Sequence, residues 1–385
     1  MYPKTYHDEI IAFAQEIVRI KSLSGEERDV AKAIAEKMGS LDYDDIQVDP
    51  YGSVIASRVG RKPGPRILFD SHMDVVPVPR PDEWSHDPYG GEIQDGKIWG
   101  RGASDMKGPL AAALVSLGHL PRDEFNGTLI VSTSVHEEKY EGAALQKVME
   151  ITRPDFVVIC EPNGGRLGIG QKGRAGITVD VLGKPAHSSF PHLGENAVYK
   201  AIEVIRRLQE MPLPSDEILG DGFMELIDGI SRPYPSLSTL PVSFFMHYDR
   251  RLVLGETQES VMQSVRDALA GLSDWEIDFQ RVKLETYTGQ VLEEIDFHPG
   301  WVIDVGSAWV KKAQKGLAAA GIETEYSIAK ICTNGSYSAG IAKVPTIIFG
   351  PSSVMLAHTK DEYIEIKDLI LGADGYWGLA SELSK

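Results

Sequence analysis

Five side chains in this chain of 385 residues have the chemistry of metal ligands, and each falls where an apolar run gives way to a loop. His72 follows Arg66-Ile67-Leu68-Phe69, and Asp105 lies inside Gly100-Arg101-Gly102-Ala103-Ser104-Asp105-Met106-Lys107-Gly108. Glu138 comes after Thr128 to Val135, Glu161 directly after Phe156-Val157-Val158-Ile159-Cys160, and His358 closes the series near the C-terminus. Imidazole and carboxylate without thiolate suit zinc, cobalt or manganese, and argue against an iron–sulfur cluster or a structural zinc–cysteine site. Five groups exceed what one catalytic zinc takes from a protein. They match two cations sharing one carboxylate, about 3.5–4 Å apart. The expected cofactor is therefore two divalent metal ions, zinc first, with cobalt or manganese as alternatives.

Two further acids belong with them. Glu137 adjoins Glu138; if one binds metal, the other is free to accept a proton from water that the cations acidify to a pKa near 7. Asp74, two residues from His72, is placed to accept from the imidazole and fix its tautomer.

Helices alternating with buried strands must hold these groups. Helices are predicted at Thr5–Ile20 and Glu26–Met38, the latter capped by Ser24 with Glu27 three residues on. Strands follow at Ile46–Val48, Val54–Arg58, Arg66–Phe69, Thr128–Val135 and Phe156–Cys160, with helices at Lys107–Leu117 and Glu141–Glu150. That order predicts a mostly parallel α/β sheet with helices on both faces, whose strand ends form the rim where such folds bind ligands. Near Gly173 the texture changes. Ala175–Leu182 alternates with period two, a helix is predicted at Ala197–Glu210, and Met211 to Pro241 is rich in Pro, Gly, Ser and Asp. A strand at Val242–His247, a helix at Thr257–Leu272 and a strand at Glu276–Leu284 follow. Residues 173–288 thus read as an inserted α+β domain, an antiparallel sheet with two helices on one face. Residues 1–172 and 289–385 form the catalytic domain, with a helix from Trp301 to Ala320 and a buried strand at Thr346–Phe349. Gly168-x-Gly170-x-x-Gly173 spells a dinucleotide fingerprint but leads into a strand, where that motif needs a helix.

Composition narrows the partners. With 39 basic and 56 acidic residues the formal charge is -17, which disfavours nucleic acid and anionic membranes. Two cysteines, Cys160 and Cys332, cannot form a disulfide framework at this length, so a reducing cytoplasm is expected. Met1 to Ile20 has the apolar spacing of an amphipathic helix and lacks the apolar core of a signal peptide. No stretch approaches the roughly 20 apolar residues of a membrane span.

Taken in order, His72-Met73-Asp74, Gly100–Gly108, Glu137-Glu138, Glu161-Pro162, Gly183-Lys184-Pro185-Ala186-His187-Ser188-Ser189 and His358 resemble the di-zinc family of acetylornithine deacetylases, succinyl-diaminopimelate desuccinylases, aminoacylases and glutamate carboxypeptidases. The likeness runs from about residue 5 to 380. Gly170-Gln171-Lys172-Gly173-Arg174, Asp249 to Thr257 and Thr333-Asn334-Gly335 look most like a bacterial branch named for a link to selenium metabolism.

The resemblance implies a role for each position. His72 and Glu161 would hold one zinc, Glu138 and His358 the other, and Asp105 would bridge them across a cis peptide to Met106. Glu137 would be the general base and Asp74 would orient His72. His187 of the inserted domain would donate to the oxyanion, often across a dimer interface. Arg251 would clamp a substrate carboxylate, with Arg250 beside it as the alternative. Asn334, where many relatives carry Asp, would be a substrate-binding residue, and Ser71 replaces a common Gly. Glu at 161 is the choice of the deacylases, where the peptidases often have Asp.

The expectation is a cytoplasmic hydrolase that cleaves the amide bond of a small N-acyl amino acid or dipeptide bearing a free carboxylate. Its inserted domain would close over the substrate and join two copies into a homodimer. A di- or aminopeptidase needing a free amine is the nearest alternative, and a non-catalytic binding protein of the same fold a more distant one.

Overall fold

The computed structural model describes residues 4–323 and 325–385. The chain forms two compact units. The first takes the chain up to Gln171, then Lys283–Leu292 and Val302–Lys385; the second takes Lys172–Val282 and Glu293–Trp301. The detour at Lys283–Leu292 is the tip of a hairpin formed by Arg281–Glu285 and Val291–Ile295. Within the first unit, Tyr287 donates its hydroxyl to Gly52 O at 2.8 Å and Thr288 Oγ1 donates to Pro50 O at 2.7 Å.

A mixed sheet organises the first unit, in the order Asp45–Val48, Val54–Val59, Thr128–Ser134, Arg66–His72, Phe156–Ile159, Thr346–Ile348, Leu167–Gln171, with Tyr326–Ala329 also on the last. Its centre is parallel: Arg66–His72 runs with both Thr128–Ser134 and Phe156–Ile159, and Thr346–Ile348 runs with Phe156–Ile159. Consecutive residues Ile67, Leu68 and Phe69 are all buried, as are Phe156 to Ile159. Successive strand residues point to opposite faces, so both faces of these strands are covered. The helix Gly108–His119, built from small and apolar residues and buried through Gly118, packs on His7–Arg19 and Ile366–Leu383.

Register brings the strand ends together. His72 pairs opposite Ser134, and Asp70 opposite Ile159. Residues leaving these parallel strands, namely Asp74, Glu137, Glu138 and Glu161, therefore emerge on one rim.

The second unit is an antiparallel sheet ordered Phe223–Arg232, Ser243–Leu252, Gly173–Leu182, Trp275–Phe279. Ala175, Ile177, Val179, Val181, Met246, Tyr248 and Leu252 share a core with Ala201, Val204 and Leu208 of the helix Ala197–Gln209 and Val261, Met262 and Val265 of Gln258–Ala268. Each fully buried aliphatic side chain there contributes roughly 1.5–3 kcal/mol. Asn196 caps the first helix by accepting from Val198 N, and Thr257 with Ser260 forms a capping box on the second.

Three expectations about elements are corrected. The helix at 26–38 begins at Arg28 without a side-chain cap, because Ser24 Oγ donates to Asp74 at 2.6 Å. Trp301–Val302 is extended, and the next helix starts at Ala308 behind the cap Ser307. The Pro- and Gly-rich stretch conceals a ten-residue strand, Phe223–Arg232, which its pairing with Ser243–Leu252 holds extended.

Candidate metal centre

His72 ends its strand with the imidazole buried. Its Nδ1 lies 3.0 Å from the Asp74 main-chain oxygen and 3.5 Å from Asp74 Oδ1. That side of the ring is the proton-bearing side, which leaves Nε2 as the ligand atom. Nε2 faces Asp105 Oδ1 at 3.2 Å, Glu161 Oε1 at 3.6 Å and Glu137 Oε2 at 3.8 Å. On the other side, His358 Nε2 is 2.9 Å from Glu138 Oε2 and 3.5 Å from Asp105 Oδ2. Two triads result, His72–Asp105–Glu161 and Asp105–Glu138–His358, each with its ligand atoms within 4.8 Å of one another. Asp105 belongs to both, one oxygen turned to each imidazole. Its peptide bond to Met106 is cis, and Met106 Sδ accepts the His72 N–H at 3.3 Å.

Asp74 does more than face His72. Its Oδ1 accepts the Glu137 N–H at 3.1 Å, and its Oδ2 accepts the Glu138 N–H at 3.2 Å together with the Ser24 hydroxyl. One buried carboxylate thus holds the His72 turn and the Glu137-Glu138 turn in register. Burial works against its charge, but the bond to His72 and that ring's charge outweigh it, and Asp74 stays below the usual carboxylate range.

The acids of the centre crowd one another in a desolvated place. Burial, with the charge of neighbouring carboxylates, pushes Glu137 and Glu161 well above the usual range and Glu138 up to about 7. Burial alone would lower His72, yet the carboxylates of Glu137, Asp105, Asp74 and Glu161 raise it well above its ordinary value. Glu138 Oε1 is buried without a hydrogen-bond partner among the described residues. Such a cluster is costly unless cations neutralise it. The donor set fits two divalent cations, one between His72 and Glu161, one between Glu138 and His358, with Asp105 common to both.

Two of the residues expected to bind substrate, Arg250 and Asn334, are buried and hydrogen-bonded within their own units. Arg250 lies on the helix side of its strand, only 2 % exposed, and its guanidinium donates to Glu256 Oε1 at 2.6 Å and Ser264 Oγ at 2.8 Å. It is a core residue of the second unit. Arg251 points to the opposite face and pairs with Asp249 through Nε at 2.8 Å. Asn334 is buried in the first unit: Nδ2 donates to Asp70 Oδ2 at 2.8 Å and to Ser134 Oγ at 3.4 Å, while Oδ1 accepts from Gly142 N at 2.6 Å. Its amide is spent on the scaffold. His187 is an exposed residue of the second unit whose Nδ1 accepts from Ser189 N at 3.1 Å.

Sequence reasoning missed Asp70 and Glu27. Asp70 accepts from Ser132 and Ser134 hydroxyls as well as Asn334, and sits two residues before His72 on the same strand face. That period-two spacing was the available signal. Glu27, fully buried, accepts the N–H of His136, whose left-handed φ of 57° turns the chain into Glu137. Nothing in its local sequence separated it from a solvated acid.

The profile of peptidase family M20/M25/M40 matches residues 68–382. The uncharacterized protein YgeY of Escherichia coli K12 is 32% identical over 373 residues, covering 93% of this chain and 90% of its own. The succinyl-diaminopimelate desuccinylase of Rhodospirillum centenum is 27% identical, covering 94% and 93%. Among solved structures, aminopeptidase PepT from Bacillus cereus superposes with a TM-score of 0.75 at 19% identity, over 98% of this chain and 99% of that one. YXEP of Bacillus subtilis, described as a dinuclear metal binding peptidase, gives 0.73 at 16%, over 99% of each. With the fold shared along its whole length and the profile covering most of the sequence, this chain belongs to peptidase family M20/M25/M40.

Proposed function

We propose that this metallohydrolase cleaves the amide bond of a small N-acyl amino acid or dipeptide-like substrate bearing a free carboxylate. The observation that carries the reading is Asp105 shared between two imidazole-containing triads, with Glu137 Oε2 beside one of them at 3.8 Å from His72 Nε2. Two zinc ions, when bound, supply Lewis acidity at the carbonyl and acidify water. Glu137 takes the proton of the attacking water and passes it to the leaving amine. Its desolvation matches that work, since burial raises the proton affinity of its carboxylate and makes it a stronger base. Asp74 fixes the angle at which Glu137 is presented.

His187 is assigned to the oxyanion. Because its Nδ1 accepts a hydrogen bond, the neutral ring carries its proton on Nε2, free to donate. Arg251 is assigned to the substrate carboxylate, its planar fork now held by Asp249. The likeness to a desuccinylase along nearly the whole chain supports an N-acyl substrate, and residues 170–174, 249–257 and 333–335 favour the selenium-linked bacterial branch. A homodimer through the second unit is part of the same reading. Phe223–Arg232 ends that unit's sheet order and exposes Phe223, Leu226, Ile227 and Ile230, and an open apolar edge favours strand pairing. Cys160 and Cys332 are both buried, and among the described residues no helix is long and apolar enough to cross a membrane.

The test is a panel of N-acyl amino acids and free dipeptides offered to zinc-, cobalt- and manganese-loaded protein, with Glu137→Gln as control. Release of carboxylic acid by the native protein, with metals retained and turnover lost in the variant, supports the reading. Cleavage confined to dipeptides with a free amine would replace it by a peptidase.

A further inference from the structure

We propose that Glu362 is a positioning residue that ties the loop carrying His358 to the loop carrying Asp105, so that the second cation site exists only while this tie is made. The inference rests on the two-cation reading above and concerns a residue outside the ligand set.

Glu362 lies four positions beyond His358 and is fully buried. Its Oε1 accepts two backbone N–H groups, those of Ser104 and Asp105, each at 2.9 Å. Its Oε2 accepts from Arg101, a guanidinium only 3 % exposed. Its own carbonyl oxygen accepts the Gly100 N–H at 2.8 Å. One residue therefore holds both ends of the Gly100–Asp105 segment, and Ser104 Oγ adds a contact to Ser352 Oγ at 2.8 Å.

The partner loop needs such a tie. Ser352, His358 and Asp361 all have left-handed backbones, with φ of 65°, 61° and 54°. Residues with side chains adopt that conformation at a cost, and it persists only where contacts over-determine it. His358 itself is half exposed, and its imidazole meets two carboxylates of the centre, Glu138 and Asp105. Those contacts cannot set its backbone. The buried tie at Glu362 can, because a carboxylate accepting main-chain N–H groups next to a paired guanidinium has one arrangement that satisfies every donor. The first site keeps two ligands that the tie does not hold, His72 and Glu161, which leave adjacent parallel strands, whereas the second keeps only Glu138.

The experiment counts metal. Wild-type protein, zinc-loaded and gel-filtered, is expected to retain two equivalents per chain. Two paired variants remove the ion pair without stranding a charge: R101M/E362Q keeps the amide acceptor, and R101M/E362M removes it. R101M/E362Q is expected to retain two equivalents and R101M/E362M one, and cobalt-loaded samples should show the corresponding loss of one site's visible absorption. Two equivalents in R101M/E362M, or one in R101M/E362Q, would overturn the proposal. Should R101M/E362M fail to fold, E362Q alone carries the test. Its amide N–H group then meets the Arg101 donors, and affinity for the second cation should fall at least ~10-fold, and by more than the affinity for the first, which shares only Asp105 with the tie; equal retention of both overturns the tie. Wild-type protein holding fewer than two equivalents would instead sink the two-cation reading, and this one with it.

Discussion

Asp74 Oδ1 accepts the backbone N–H of Glu137 at 3.1 Å, so the acid behind the imidazole also fixes the backbone of the base. Asp74 is expected to act on proton transfer as well as on metal affinity. Asp74→Asn keeps the size but turns an N–H group toward donors that now find an acceptor. The expected result is a fall in kcat of about 10–100-fold, the usual cost of losing a partner behind a ligand, with both metals still bound at saturating concentration. Kinetics alongside metal analysis checks this. An unchanged kcat with weakened metal binding would confine Asp74 to orienting His72.

Stability of the metal-free protein is expected to fall as pH rises through the weakly acidic range. Burial and the charge of Asp74 push Glu27 up to about 7 from an ordinary 4.5, and burial pushes Asp70 up to about 6 from 3.8. Between the ordinary and the raised values the folded state holds protons that the unfolded chain has released. The unfolded state binds fewer protons, so stability decreases with pH across that window. Glu138, pushed up to about 7 by burial and by Asp105, acts in the same direction. Chelated protein should melt at a higher temperature near pH 5 than near pH 7.5, the difference reflecting a few kcal/mol. A cation between Glu138 and His358 would displace the Glu138 proton, so metal affinity should rise over the same range. A melting temperature of the chelated protein that climbs from pH 5 to 7.5 would contradict the assignment.

Asn334 is expected to matter for stability and not for substrate choice. Asn334→Ala would leave Asp70 Oδ2 short of a donor and Gly142 N–H without its acceptor. Each such loss costs about 1–3 kcal/mol. The variant should unfold at markedly lower denaturant concentration while KM holds steady among substrates. A selective change in KM with native stability would return Asn334 to the substrate site.

The parallel centre and the rim from which the candidate ligands emerge were legible because buried strands announce themselves as unbroken apolar runs, and their ends fix where polar residues can emerge. Arg66–Phe69 and Phe156–Cys160 are of that kind. The roles of Glu27 and Glu362 were not legible, because each holds main-chain N–H groups far away in sequence, at His136 and at Ser104 and Asp105. Main-chain donors carry no residue identity, so no spacing rule points to them. Phe223–Arg232 was hidden for a related reason. An edge strand with largely exposed residues lacks the buried stripe by which strands are read, and its Gly and Asp residues imitate a loop.

The adjacent arginines show what strand parity alone decides. Met246, Tyr248, Arg250 and Leu252 alternate onto the buried side of Ser243–Leu252, which places Arg251 with His247 and Asp249 on the other. The two residues should therefore fail differently. Arg250→Ala strands Glu256, which is 8% exposed, without its cation, and breaking a buried pair costs about 3–5 kcal/mol. The expected phenotype is a large loss of stability in the second unit, seen by thermal or chemical unfolding. Arg251→Ala leaves a partly exposed Asp249 that water can solvate, so stability should change little. Its effect should fall on catalysis: kcat/KM reduced about 10–100-fold, as losing a charge-assisted bond to a carboxylate implies, and reduced far less for substrates whose carboxylate is amidated. Equal losses on the acid and its amide would mean that Arg251 does not meet the carboxylate.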